Sequence, residues 1–208
     1  SHAAALLARA GVRNFVLVDF DNVTLSSLNR HAAACRAHVG SSKVAAVASQ
    51  IRAIAGPSGG CDTPGEIQIP EGVIEARAAM FSAKMATGLL LHPDWIAAHP
   101  DSMQLGYFSA GGGPGSIADL PDWAVPDLVL DCIDDVKTKA ELLTWCVHAR
   151  VPAISSLGAG GKLEGTRLHA GGLADVVNEA LGKALNTKLR QTLAVDTGAA
   201  DTGAVDTG

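Results

Sequence analysis

Residues 16–31 read VLVDFDNVTLSSLNRH. A hydrophobic run ends in two carboxylates, Asp19 and Asp21, one residue apart, and a polar loop leads on to Arg30 and His31. Two acids so placed can share a metal, clamp the hydroxyls of a sugar or cap a helix. Asp19 has a further property. In doubly wound folds the first strand enters a glycine-rich turn and a helix. The second strand then ends in an acid, about 20 residues past the glycines, that takes the ribose hydroxyls of a nucleotide. The order here is helix, strand, Asp19. Asp19 therefore stands in the ribose position, and the glycine turn is expected upstream of Ser1, with the chain read as a fragment. The competing reading of Asp19 is a strand-end carboxylate solvated in a loop.

The elements that must position these residues follow from spacing. Residues 1–10 have helical Ala/Leu periodicity and Gly11 is a stop. Residues 14–20 form a short apolar run, suited to a buried parallel strand. Residues 40–56 predict a helix with Ser41 or Ser42 as cap and Gly56 as stop. Residues 57–66 read as a loop. The stretch VIEARAAMFSAKMATGLLL fits strand or helix, and SAGGGPGSIADLPDWAVPD reads as irregular. Order returns with DLVLDCID as a strand, residues 137–149 as a helix and VPAISS as a strand. This alternation predicts an α/β fold, a doubly wound and mostly parallel sheet with helices on both faces. The expected organisation is one domain over residues 1–193 with an irregular insertion at about 58–125. A tail at 194–208, repeating Asp-Thr-Gly, is expected to be disordered.

Composition removes several classes of function. Hydrophobic residues are 48% of the 208, a globular proportion. A net charge of -5 argues against a wholly basic nucleic-acid binder, so a nucleic-acid substrate would need a local patch. The cysteines, Cys35, Cys61, Cys132 and Cys146, form no CxxC pair, so neither a zinc knuckle nor a disulfide framework is indicated, which fits a reducing, intracellular compartment. No apolar run approaches the roughly 20 residues of a membrane span, and no signal peptide is visible. GAGGK lacks the Ser or Thr and the spacing of a phosphate loop, and GGGPGS has no lysine; both read as turns. His92 and His99 read as helix or turn starts, since no further metal-ligand pattern accompanies them. No GxSxG is present.

DFDNVTLSSLNRH, followed by Lys43, resembles the ThiF/MoeB-type adenylating superfamily, which includes the ubiquitin-activating enzymes. Asp19, Arg30 and Lys43 match the family pattern, and Ser27 stands where the family usually has Asn. VPDLVLDCIDDVKTKAELL resembles the strand that ends in the family's Asp-Asn pair, with Asp134 as the magnesium-linked acid and Asp135 in place of Asn. The resemblance implies a Rossmann-like fold, a homodimer and ATP with Mg2+ as cofactors. It makes Arg30, Lys43 and Asp134 catalytic, places Asp19, Ser27, Arg30, Lys43 and Asp134 at the nucleotide, and gives Asp134 the metal. Arg30 and Lys43 would neutralise phosphate charge as a carboxylate attacks the α-phosphate. Asp21 and Asp131 are read as structural, or as supports behind the site residues.

The later segment VPAISSLGAGGKLEGTRLHAGGLADV resembles the tRNA threonylcarbamoyladenosine dehydratases. The matches are residues 158–161, Thr166, Arg167 and the Leu173, Ala174, Asp175 run, with Gly165 replacing a usual Pro. ALNTKLRQTL sits where that family has a basic helix, which makes Lys188 and Arg190 candidate tRNA contacts. The implied reaction activates the threonyl carboxylate of the modified adenosine next to the anticodon, closes the ring and releases AMP, in the cytoplasm or an organelle. The resemblance covers residues 1 to about 57 and 126 to about 193. Two other readings stay open: an activator of a ubiquitin-like or sulfur-carrier protein, and a nucleotide-binding remnant without catalysis. Cys146, mid-helix in LLTWCVHA, is read as a packed core thiol rather than a thioester nucleophile.

Overall fold

The computed structural model describes residues 1–55, 72–100, 120–158, 170–176 and 180–196. They divide between two compact units, Ser1–Phe81 and Ser82–Gly208, within the span that sequence suggests is one domain and its tail. No helix among the described residues is long and apolar enough to cross a membrane.

The first unit begins with helix α1, His2–Arg9, which ends at Ala10 with Gly11 in the left-handed region at φ 102°. Only glycine enters that region without a Cβ penalty, which is why the helix stops there. Strand β1, Phe15–Val18, pairs in parallel with β2, Ile74–Arg77, placing Phe15 opposite Ile74 and Val16 opposite Glu75. Helix α2, Lys43–Ala55, buries Val44, Val47, Ala48 and Ile51, one stripe at helical spacing. Ala8, Phe15, Val47 and Ile51 form the core, with Leu7, Leu17 and Ile74 packed against it. Each large side chain so buried contributes about 1.5–3 kcal/mol. Because side chains alternate along a strand, Val16 and Glu75 lie on the other face, where Val16 is 41% exposed.

Strand β2 falls inside the segment whose periodicity leaves strand and helix open. Four residues are too few to display alternation, and parallel pairing with β1, not local pattern, makes them a strand. Gly72, two residues upstream, shows how closely the chains approach: a Cβ there would lie 2.1 Å from the carbonyl oxygen of Arg13.

In the second unit, Ala86–Leu90 forms α3 and Pro93–Ala98 forms α4. The His92 ring accepts from Asp94 N–H at the start of α4 and Pro93 occupies its first turn, while His99 stacks on Trp95 with ring centroids 4.4 Å apart. The two histidines thus do local structural work. Strand β3, Val129–Asp131, leads through helix α5, Val136–His148, into the parallel strand β4, Ala153–Ser155. Asp135 starts α5: its Oδ2 accepts from the Thr138 backbone N–H at 2.8 Å and the Thr138 hydroxyl at 2.7 Å. At the other end Arg150 adopts φ 55°, and the N–H groups of Arg150 and Val151 bond back to Val147 and Cys146. This Schellman closure turns the chain directly into β4. Helix α6, Ala180–Asp196, packs Leu185 and Leu189 on Ala140 of α5. It continues through residues 194–196, which sequence assigns to the disordered tail, because Ala-Val-Asp still follows a formed helix; the Asp-Thr-Gly repeats beyond lie outside the described residues.

Two outcomes follow. Gly72→Ala forces backbone against backbone, so urea unfolding should show a loss of about 1–3 kcal/mol, typical of overpacking. The hydrogen bonds from Thr138 hold the exposed Asp135 carboxyl below its ordinary value of 3.8. A depressed folded-state pKa adds stability above the unfolded pKa, and that stability is lost as pH falls through the folded one. Asp135→Asn keeps a good cap but cannot titrate. It should therefore match the parent near pH 7 and lose less stability below about pH 4, as read by thermal melts across pH.

Candidate nucleotide site

Asp19 follows the last residue of β1, and its backbone N–H still donates to Arg77 O at 3.3 Å. It therefore occupies the carboxyl end of a parallel strand, where open α/β sheets bind ligands. Its Oδ1 accepts from Asp21 N–H at 2.9 Å, a local turn that leaves Oδ2 without a hydrogen bond among the described residues. Asp21 then grips Lys43 twice. Its carbonyl accepts from Lys43 N–H at 2.9 Å and its carboxylate pairs with Lys43 Nζ at 2.5 Å. The intervening chain is closed at its base, since Val23 and Gly40–Ser41 exchange backbone bonds and Asn22 bridges Ser42. Lys43, the residue that opens α2, is thus fixed to the end of β1 despite the long separation in sequence. Asp21 is structural, as expected from sequence, and its task is to hold Lys43.

Ser27 is 3% exposed. Its hydroxyl accepts from Thr24 N–H at 3.2 Å and shares a hydrogen with the Thr24 hydroxyl at 2.9 Å, closing the 3-10 turn Leu25–Ser27. The side chain expected at a nucleotide contact is therefore engaged within its own turn. Its carbonyl accepts from the N–H groups of Arg30 and His31 and so shapes the segment that carries Arg30. Arg30 is exposed, and its Nη1 donates to Ser26 O and to Asn29 Oδ1, leaving Nε and Nη2 without partners among the described residues. His31, next to Arg30, belongs to no motif. Its Nδ1 is buried with no hydrogen-bond partner. Burial lowers its pKa, helped by Lys43 and opposed by Asp19, so the ring is neutral at pH 7.

Asp134 belongs to the second unit. It lies exposed on the link between β3 and α5, and its carboxylate makes no hydrogen bond or ion pair with the described residues. A solitary carboxylate fits magnesium, which keeps several waters and takes its other ligands from phosphates. No cluster of three metal-ligating side chains occurs among the described residues. Its neighbour Asp135 is the α5 cap, and Asn, the usual residue there, is an equally good cap. Asp131 is buried and structural, paired with a fully buried Lys139 at 2.6 Å. Cys146 is buried in α5, and burial, with the charge of Asp131, pushes its thiol up to about 12, so it stays protonated. Lys188 and Arg190 are exposed on α6, with Arg190 bonded to Asn186. Gly158 and the Leu173–Asp175 turn are described, and Asp175 there accepts from Gly172 N–H at 2.9 Å. Residues 159–169, including Gly165, Thr166 and Arg167, lie outside the described residues.

The ThiF family model matches residues 1–108, and so takes in part of the segment that the motif resemblance leaves out. The tRNA threonylcarbamoyladenosine dehydratase 2 of Saccharomyces cerevisiae is 29% identical over 185 residues, 89% of this chain and 32% of that protein. The tRNA threonylcarbamoyladenosine dehydratase of Escherichia coli is 27% identical over 195 residues, 94% of this chain and 56% of that protein. The crystal structure of the E. coli enzyme in complex with ATP superposes with a TM-score of 0.61 at 25% identity, covering 97% of this chain and 62% of that one. The chain thus spans from about a third to a little over half the length of these curated relatives. Its parallel strands and helices are those of a Rossmann-like α/β fold, and the chain belongs to the ThiF family.

Proposed function

We propose that the chain is the adenylating part of an ATP-dependent tRNA threonylcarbamoyladenosine dehydratase. The observation that carries the reading is the end of β1, where the unengaged Oδ2 of Asp19 stands one turn from the Asp21–Lys43 pair. Similarity over most of the chain to dehydratases, one of them crystallised with ATP, supports it. Asp19 accepts from the ribose hydroxyls. Lys43 has three donors and uses one on Asp21, so it can meet a phosphate oxygen without breaking that pair. Arg30 offers its free Nε and Nη2 to the same charge. Asp134 would hold Mg2+, whose charge would offset that of the phosphates when bound. Ser27 acts through its turn, by shaping the segment of Arg30.

With both reactants anionic, this neutralisation is what the protein must supply. The threonyl carboxylate forms a bond to the α-phosphorus as the bond to pyrophosphate breaks. Ring closure at the activated carboxyl carbon then breaks its bond to AMP. No thiol takes part, in keeping with a Cys146 that is buried and protonated. The exposed Lys188 and Arg190 offer tRNA phosphate contacts on a chain of net charge -5. The reading includes a homodimer, which sedimentation of the complete protein tests, and an intracellular location, cytoplasmic or organellar.

The deciding assay follows AMP release in the complete protein. Release that depends on tRNA carrying the linear modification supports the dehydratase. Release that depends instead on a small protein's C-terminus indicates an activator of ubiquitin-like or sulfur-carrier proteins, and ATP binding without AMP a non-catalytic remnant. Arg30→Ala should lower kcat by about 100-fold, as loss of one charge-stabilising donor does. An unchanged rate would remove Arg30 from the phosphate site. Cys146→Ser should leave the rate intact and lower only the melting temperature; abolished turnover in a folded variant would restore the thioester reading.

A further inference from the structure

Lys139 has no exposed surface at all. Its ammonium donates to Asp131 Oδ2 at 2.6 Å, Ser155 Oγ at 3.1 Å and Ser156 O at 2.9 Å, which uses all three of its donors. Asp131 ends β3, Ser155 ends β4 and Ser156 follows it, so one side chain of α5 ties together the carboxyl ends of two parallel strands. Ser155 also donates to Asp131 Oδ2 at 2.6 Å. The other oxygen of Asp131, Oδ1, accepts from Ile133 N–H at 2.9 Å. Beyond Ile133 comes Asp134, and then Asp135, whose carbonyl accepts from Lys139 N–H at 2.9 Å.

The link that carries Asp134 is therefore pinned at both ends, and both pins meet Lys139. Upstream, its side chain holds Asp131, which holds Ile133. Downstream, its backbone holds Asp135. Asp134 itself makes no such bond among the described residues, so its direction is set by these two anchors. Stability gives little reason to keep a buried ammonium here, because apolar replacements of buried ion pairs are often neutral or stabilising. What an apolar side chain cannot do is set the spacing of the two strand ends and the turn between them. We infer that Lys139, acting through Asp131 and Ser155, is a positioning residue that aims the Asp134 carboxylate at a divalent cation. The inference rests on the proposed role of Asp134 as the metal acid.

The test measures Mn2+ binding to the protein–ATP complex, read from the paramagnetic signal of free Mn2+, beside ATP affinity without metal and the melting temperature. The double variant Asp131→Asn/Lys139→Met removes the ammonium without stranding a buried charge, so it is designed to fold. It should keep metal-free ATP affinity within about twofold while Mn2+ affinity falls about tenfold, the size of effect seen when partners behind a ligand are removed. The AMP-forming reaction should need correspondingly more Mg2+. Ser155→Ala, a gentler change, should weaken Mn2+ binding in the same direction, and it decides the matter if the double variant does not melt cooperatively. Parent-like Mn2+ affinity in a folded double variant, or in Ser155→Ala if that is the deciding variant, overturns the inference, provided that Asp134→Asn has lost the metal. If Asp134→Asn binds Mn2+ as tightly as the parent, the metal-acid reading itself fails, and the positioning role falls with it.

Discussion

Lys139 and Asp131 lie 2.6 Å apart with neither side chain exposed, at the point where a parallel strand hands the chain to a helix. Removing two ions from water costs on the order of several kcal/mol each, repaid only when geometry is good and every remaining donor finds an acceptor. Here Ser155, Ser156 and Ile133 complete the set. The first unit repeats the arrangement in a wetter form. Asp21, just past the end of β1, pairs with Lys43 at the start of α2, with side chains 46% and 19% exposed. In each unit an aspartate at a strand end is joined to a lysine of the following helix.

This shared device separates structural acids from available ones. Asp21 and Asp131 are committed to lysines, while the neighbouring Asp19 and Asp134 each keep an oxygen without a hydrogen bond among the described residues. A committed carboxylate beside an available one gives rigidity and reactivity to different side chains. The difference in burial also fits the tasks. Lys43, partly exposed, can turn a donor toward a ligand, whereas Lys139, sealed and saturated, can only hold what surrounds it.

Departures from the usual family pattern become readable in the same terms. Asp135 replaces Asn, and both cap a helix by accepting from an N–H three residues on. Ser27 replaces Asn, but its hydroxyl is turned into the Thr24 turn, so its influence passes through backbone geometry to Arg30. The protonated, buried Cys146 is a packing residue, and the cost of desolvating a thiolate there explains why.

The sequence by itself determined the alternation of strand and helix, the places of Asp19, Arg30, Lys43 and Asp134 along it, and the structural character of Asp21, Asp131 and Cys146. These features are local or lie in short motifs, where apolar runs, helix stops and acids at strand ends leave a mark on neighbouring residues. Tertiary structure decided the rest. Strand β2 exists because β1 offers it a parallel partner and Gly72 lets the backbones meet, neither of which four residues of local pattern can express. The helix α6 outruns the point where composition turns repetitive. The Ser27 hydroxyl is engaged by Thr24, three residues back, a contact that the motif itself does not express. His31 left no signal because a lone histidine after an arginine has no spacing to read, and its environment is assembled from Asp19 and Lys43. Lys139 looked like any lysine near a helix start; its three acceptors come from the ends of two strands, and only folding brings those ends to one ammonium.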